Sequence, residues 1–451
     1  MPTRTEPMLN KPRSPSMVGC LSLCSLSLWL CACGVRDESR TVAPIARPSR
    51  PDVAVLVAAG EDLQARIDAA PSDAVLELGP GRHAGPIVLK RAITLWSDAG
   101  AVVTGGGGGG CTVMVDGPNV RLLGLTVDGS GGRFDLLDAA IRVHGDDAVV
   151  EGVTIRNALF GILVEKVSRA TIRGNLVQGT GDAALGLRGD TIRLWETQDS
   201  IVEGNVVRDG RDMVVWYSNR TRVLRNEVSG GRYGTHFMYS REQLVEGNRY
   251  AGNVVGVFVM YSHDLELRSN TISRCSGASG IGIGLKESGN VKLLRNRLIA
   301  NTIGIFIDTS PLDVGEHDHI EGNLVALGRT AIAFHGGAAR NVFTGNVFRD
   351  NQQQVRVDGG SDALAAEWAG NQWDDYAGYD LDGDGFGDVP YEIASLVGQL
   401  TSKRPALEFF SGTPTLFLVE LTGRVMPIFE PQVLVRDSHP AVALEEVSDA
   451  R

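Results

Sequence analysis

Two methionines 22 residues apart, Met238 and Met260, and a histidine two positions before the first of them, His236, are the side chains of this sequence best suited to hold a soft metal ion. Thioethers need no deprotonation, and with an imidazole they suit Cu(I) better than Ca2+ or Mg2+. A site of that composition would hold copper loosely and pass it on. A second group is hard. Asp380, Asp382, Asp384, the Phe386 carbonyl and Asp388 fall at positions 1, 3, 5, 7 and 9 of a calcium loop, with Gly385 at its sharp turn. Position 12 is Tyr391, where such a loop has a bidentate Glu, and Glu392 is one residue late. An Asp-Gly turn cluster without an ion is the alternative.

Whether the first three side chains meet depends on a repeat. Trp216-Tyr217-Ser218, Met238-Tyr239-Ser240 and Met260-Tyr261-Ser262 follow one another at a step of 22 residues, and eight residues after each Ser stands Asn226, Asn248 or Asn270. A fixed period of this length marks stacked structural units. An Asn closes each unit from Asn175 and Asn205 through Asn296, Asn323 and Asn346, at spacings of 21 to 30 residues. A strand, a turn, a strand and a turn use about that many residues at roughly 3.3 Å per strand residue. The expected fold is therefore all-β, a right-handed single-stranded parallel β-helix of about ten or more rungs. A capping helix over Glu61 to Ala70 and an irregular C-terminal tail would close its ends. The Asn amides belong to turns and stack as a ladder. Recurrence at equivalent positions makes Glu203, Glu246 and Glu321 scaffold. Beyond Asp350 the pattern fades, and Trp368, Trp373 and Tyr376 lead into the acidic segment.

Alternation sorts the side chains. Val257 and Val259 point inward with Thr235 and Phe237, so Phe258, Met260, His236 and Met238 point outward. Aligned rungs give one outward column, Trp195, Trp216, Met238, Met260, Lys286, Asp308, and a neighbouring column, Arg193, Val214, His236, Phe258. Rungs stack about 4.8 Å apart, which makes Met238 and Met260 nearest neighbours. Lys286 and Asp308 can pair, and with Trp195 and Trp216 they suggest a partner surface. An apolar docking strip, or a strip lying under a loop, would use the same residues.

Composition supports a solenoid and excludes other classes. The chain has 451 residues, 56 of them Gly, only 6% aromatic, and a net charge of −11. No block of Lys and Arg supplies the basic face that a nucleic-acid binder needs. Arg4, Lys11 and Arg13 precede an apolar stretch from Met17 to Leu30, too short to span a bilayer, which reads as an export signal. It ends in Leu30-Cys31-Ala32-Cys33-Gly34, like a bacterial lipoprotein signal with Cys33 as the lipid acceptor; an ordinary cleaved signal peptide is the alternative. Gly34 in place of Asp favours the outer membrane over the inner. Cleavage there leaves Cys33, Cys111 and Cys275, so no disulfide framework holds the fold; a single bond between Cys111 and Cys275 is left open by the sequence. The expected layout is a signal peptide at 1–33, a tether at 34–52, the β-helix at 53–360, the Asp-rich loop segment at 361–395 and a tail packing on the β-helix at 396–451.

The rungs Arg193-Leu-Trp195, Val214 to Ser218, Arg232 to Ser240 and Gly256 to Ser262, with Gly378-Tyr-Asp380 and Gly387 to Tyr391, resemble the NosD family of periplasmic β-helix proteins. The resemblance covers about Ala74 to Pro440. It implies a copper-handling accessory factor, working with an ABC transporter and a copper chaperone, that helps to build the copper centres of nitrous oxide reductase, its client. It supplies no ligand set, so His236, Met238 and Met260 stand on the rung alignment. The lipoprotein-type leader departs from the soluble periplasmic form and admits another copper oxidoreductase, or another exported protein, as client. A carbohydrate-active β-helix is the competing class. The Asp-Asp, Gly-His-Gly and Arg-Ile-Lys set of polygalacturonases and the Asp-Pro-His motif of alginate epimerases are absent, which leaves Lys286, Glu287 and Asp308 as its candidates. A purely structural surface protein is a third reading.

Overall fold

The computed structural model describes residues 48–442, apart from 99, 106–107, 278, 359–360, 398–399, 401–403, 411–412 and 426–431. The leader, Cys33 and most of the tether lie outside the described residues. No helix among these residues is long and apolar enough to cross a membrane.

The chain coils into a right-handed parallel β-helix whose walls are three sheets of 14, 12 and 13 strands. Each strand pairs in parallel with its equivalent one rung on, so inward residues stack as columns. One column runs Val215, Phe237, Val259, Leu285, Ile307, Phe334, Val357, in register throughout and fully buried. At one corner the backbone turns through a single left-handed residue per rung. Tyr217, Tyr239 and Tyr261 hold φ near 52°, 52° and 48° there. The next residue turns back inside, where Ser240 Oγ accepts from the Ser218 N–H at 3.3 Å and Ser262 Oγ from the Ser240 N–H at 3.0 Å. Met-Tyr-Ser is thus an outward side chain, a corner and a buried rung-to-rung hydrogen bond.

The asparagines form the expected ladder. Asn248 Oδ1 accepts from both the backbone N–H and the side-chain amide of Asn226, at 2.8 and 2.9 Å, and its own amide donates to the Val223 carbonyl and to Asn270 Oδ1. The pattern runs unbroken from Asn175 to Asn371 and ends on Asp437 of the tail, whose carboxylate accepts from Asn371 and from the Trp373 indole.

Both ends are covered. Asp62 caps the helix Leu63–Ala69 by accepting from the Ala65 N–H, Leu63 and Ile67 close the first rung, and Arg91 bonds the carbonyls of Ile67 and Ala70. At the other end the rungs do not fade after Asp350. Strands Glu367–Ala369 and Gln372–Trp373 carry them past residue 360. Aromatic rings take over there from aliphatic side chains, Trp368 on Phe343 at 4.1 Å and Trp373 on Phe348 at 4.5 Å, which hides the Val/Ile/Leu rhythm. Val433–Asp437 then pairs antiparallel with Tyr391–Ala394, and Tyr391 stacks on Trp373. The apolar run of the tail is a helix, Pro414–Val425, which buries Leu416 but leaves Phe417 and Leu418 exposed. Cys111 and Cys275 are free thiols.

Candidate metal centre

Three successive strands of one sheet, Asp212–Trp216, Tyr233–Met238 and Val255–Met260, carry the candidate ligands. Their register pairs Trp216 with Met238 and Met238 with Met260, and alongside pairs Val214 with His236 and His236 with Phe258. His236 Nε2 lies 3.1 Å from Met260 Sδ, and Met238 occupies the rung position next to Met260.

The outward face is not an open one. His236 is only 6% exposed. Tyr233 lies over its ring at 4.7 Å, Trp216 meets it edge-on at 5.5 Å, and Phe258 stands at 6.4 Å. Beside it a separate apolar cluster on the outside of the sheet joins Val255, Phe258, Ile281, Ile303 and Ala333 to Tyr233, Met260 and Phe306. Neighbouring side chains are what bury His236. Gly284 makes this possible, since a Cβ there would overlap the Phe258 ring. Tyr233 escapes simple alternation because the register shifts between Asp212 and Val214. No sequence signal revealed it.

Burial sets the charge state of the histidine. It pushes the His236 pKa down to about 4, with Asp212 opposing and Arg232 assisting, so the imidazole is neutral at neutral pH, as a ligand must be. Trp216 Nε1–H donates to His236 Nδ1 at 3.3 Å. This bond places the ring proton on Nε2, directed at the Met260 sulfur. A metal-ligating histidine donates its second N–H to an acceptor. Here a donor stands in that place, so metal at Nε2 requires the ring proton to move to Nδ1 and Trp216 to withdraw. The donor types fit a soft ion; the tautomer fits the metal-free state.

The lowered pKa also gives a stability prediction. Between pH 6.5 and 4 the unfolded chain protonates this histidine and the folded chain does not, so its contribution is complete above pH 6.5 and is lost on acidification toward pH 4. The full loss is about 3 kcal/mol. Unfolding midpoints across this range should fall less steeply in His236→Gln than in the wild type. Parallel acid profiles would refute the assignment.

The rest of the column is polar. Arg193 sits between Trp195 and Trp216, its guanidinium 5.8 and 5.1 Å from their rings, and Lys286 bonds Asp308 at 2.6 Å. Upstream on the same column, and not found from sequence, His144 bridges Asp116 at 3.1 Å and Glu165 at 3.2 Å. In the acidic loop, oxygens of Asp380, Asp382 and Asp384 lie within 4.8 Å of one another, whereas Asp388 accepts from the Leu381 N–H. Asp380 accepts from the N–H groups of Gly385, Gly383 and Asp384, which hold its carboxyl below the usual range. Those same bonds stabilise the turn without an ion.

The family model described as periplasmic copper-binding protein (NosD) matches residues 177–378. A Pseudomonas aeruginosa protein named probable ABC transporter binding protein NosD is 30% identical over 403 residues, 83% of this chain and 90% of its own length. A Stutzerimonas stutzeri protein of the same name is 25% identical over 394 residues, 81% and 86% of the two chains. Among solved structures, the A-module of the Azotobacter vinelandii mannuronan C-5 epimerase AlgE6 covers 67% of this chain and 93% of its own, at 16% identity and a TM-score of 0.53, a likeness of fold alone. The extent and identity of the first relative, with the matched rungs that include every candidate soft ligand, place the chain in the NosD family of periplasmic copper-binding proteins.

Proposed function

We propose that this protein is an exported, non-enzymatic copper-handling factor. It assists maturation of nitrous oxide reductase or a related copper enzyme, with an ABC transporter and a copper chaperone as partners, and is held in the periplasm by a lipid on Cys33. The observation that carries the reading is the His236–Met260 contact at 3.1 Å with Met238 in register beside it. A neutral imidazole and two thioethers form a donor set for Cu(I), and the Trp216 bond keeps the set closed when no metal is bound. The names of the two relatives, probable ABC transporter binding proteins, support the transporter partnership. Calcium in the acidic loop is a separate part of this reading and would only stiffen the tail.

The test is competition for Cu(I) between the purified mature chain and a chromogenic Cu(I) chelator under anaerobic conditions. One ion per chain should move to the protein, with a change in tryptophan emission as Trp216 withdraws. A chain that never draws Cu(I) from the weakest chelators overturns the reading. Incubation with uronic-acid polymers separates it from the carbohydrate class. No new reducing ends or unsaturated products are expected, and turnover abolished by Lys286→Ala would move the function to that face.

A further inference from the structure

The second rung after the Met-Tyr-Ser pair carries an insertion. Between Ser288 and Val291 stand two residues, Gly289 and Asn290; at the equivalent place one rung on, between Ser310 and Asp318, stand seven, Pro311 to His317. The insertion folds back over the earlier rungs. Its Leu312 N–H donates to the Ser288 carbonyl at 2.8 Å, and Glu316 N–H to the Asp313 carbonyl at 3.2 Å. This brings the Glu316 carboxylate onto Gly289, where an added Cβ would overlap it. Gly289 pairs with His263, so the missing side chain opens a slot directly above that histidine. His263 Nδ1 stands 2.8 and 3.0 Å from the two Glu316 oxygens. One oxygen of Asp313 completes a group whose ligand atoms all lie within 4.8 Å of one another. Behind it the buried Asp318 is fixed by the Val291 N–H at 2.9 Å and the Ser310 hydroxyl at 2.7 Å, which anchors the far end of the insertion.

We propose that His263, Asp313 and Glu316 form a second metal site, which takes a divalent first-row transition ion. One imidazole nitrogen and two carboxylates make a harder set than His236 with its thioethers. Ca2+ seeks six to eight oxygens, and Mg2+ prefers oxygen donors in near-ideal octahedra, so both are poor occupants. The Irving–Williams order makes Cu(II) the tightest ion for these donors, ahead of Zn2+. His263 and Glu316 are largely shielded, with side chains 12% and 16% exposed, while Asp313 is exposed and leaves a solvent side through which an ion can enter. The site does not depend on the soft site, although His263 follows Met260 by only three residues.

The probe is Cu2+ added to the untagged mature chain, read by electron paramagnetic resonance and by competition with Zn2+. The wild type should bind one Cu(II) with nitrogen coupling from a single imidazole. His263→Asn and Glu316→Gln should weaken binding at least tenfold. Gly289→Ala keeps all three ligands but blocks the seat of Glu316, and should weaken it similarly. Asp313→Asn changes an exposed side chain, should leave the fold intact, and should weaken it several-fold. Met238→Ala/Met260→Ala and Asp380→Asn/Asp382→Asn should leave the signal unchanged. A signal that survives both His263→Asn and Asp313→Asn, or that shows no nitrogen coupling, overturns the proposal.

Discussion

Asn248→Ala is expected to loosen the solenoid by about 3–5 kcal/mol, although the residue is far from any ligand. The amide oxygen of Asn248 is the acceptor for two donors of Asn226, and its nitrogen bonds the Val223 carbonyl and the next asparagine. All of these groups are buried. Alanine leaves two N–H donors facing a space with no acceptor, and each orphaned donor costs about 1–3 kcal/mol. Because solenoid stability sums over rungs and their interfaces, the loss should appear locally. Exchange of the Asn226 amide hydrogen should rise by about a hundredfold or more. Arg222→Ala, at an exposed position of a neighbouring strand, should change stability by less than about 0.5 kcal/mol. Equal exchange at Asn226 in both variants would mean that the ladder contributes no net stability.

The second large effect concerns the soft site. Met238→Ala/Met260→Ala should lower Cu(I) affinity by about a hundredfold, or roughly 2.7 kcal/mol. Both thioethers are half-buried on the outer face and bear on no side chain of the central core, so the fold should survive their truncation. Trp216→Phe should act in the opposite direction. It removes the N–H that opposes a proton on His236 Nδ1, and so should tighten Cu(I) binding several-fold and speed its uptake. Competition titration reads both. If the double alanine variant binds Cu(I) like the wild type, His236 and the methionines are not the ligands.

The period of 22 residues made much of this visible in sequence. A fixed step converts sequence distance into rung number, and alternation gives the face, so the Trp195-to-Asp308 column and its neighbour follow from counting alone. What counting cannot supply is how neighbouring side chains lean. Phe258 lies over Gly284 and Tyr233 over His236, so an outward residue became a buried one with a pKa of about 4. The Trp216–His236 bond depends on a rotamer, which no spacing encodes. The last rung was hidden because Trp368 and Trp373 replace the branched aliphatics that signal a strand. Glu316 was invisible because an insertion breaks the period at the point where it creates a contact.

The buried row of amides has a direction. Every asparagine hands its donors forward and receives on its oxygen, so a final asparagine would present two unanswered donors to whatever comes next, including another molecule of the same protein. Asp437 receives both from Asn371 and has no amide of its own to offer. A carboxylate at that point is a terminator, and a chain cut short before it should associate through that end in pairs, because the helix Leu63–Ala69 still covers the other end.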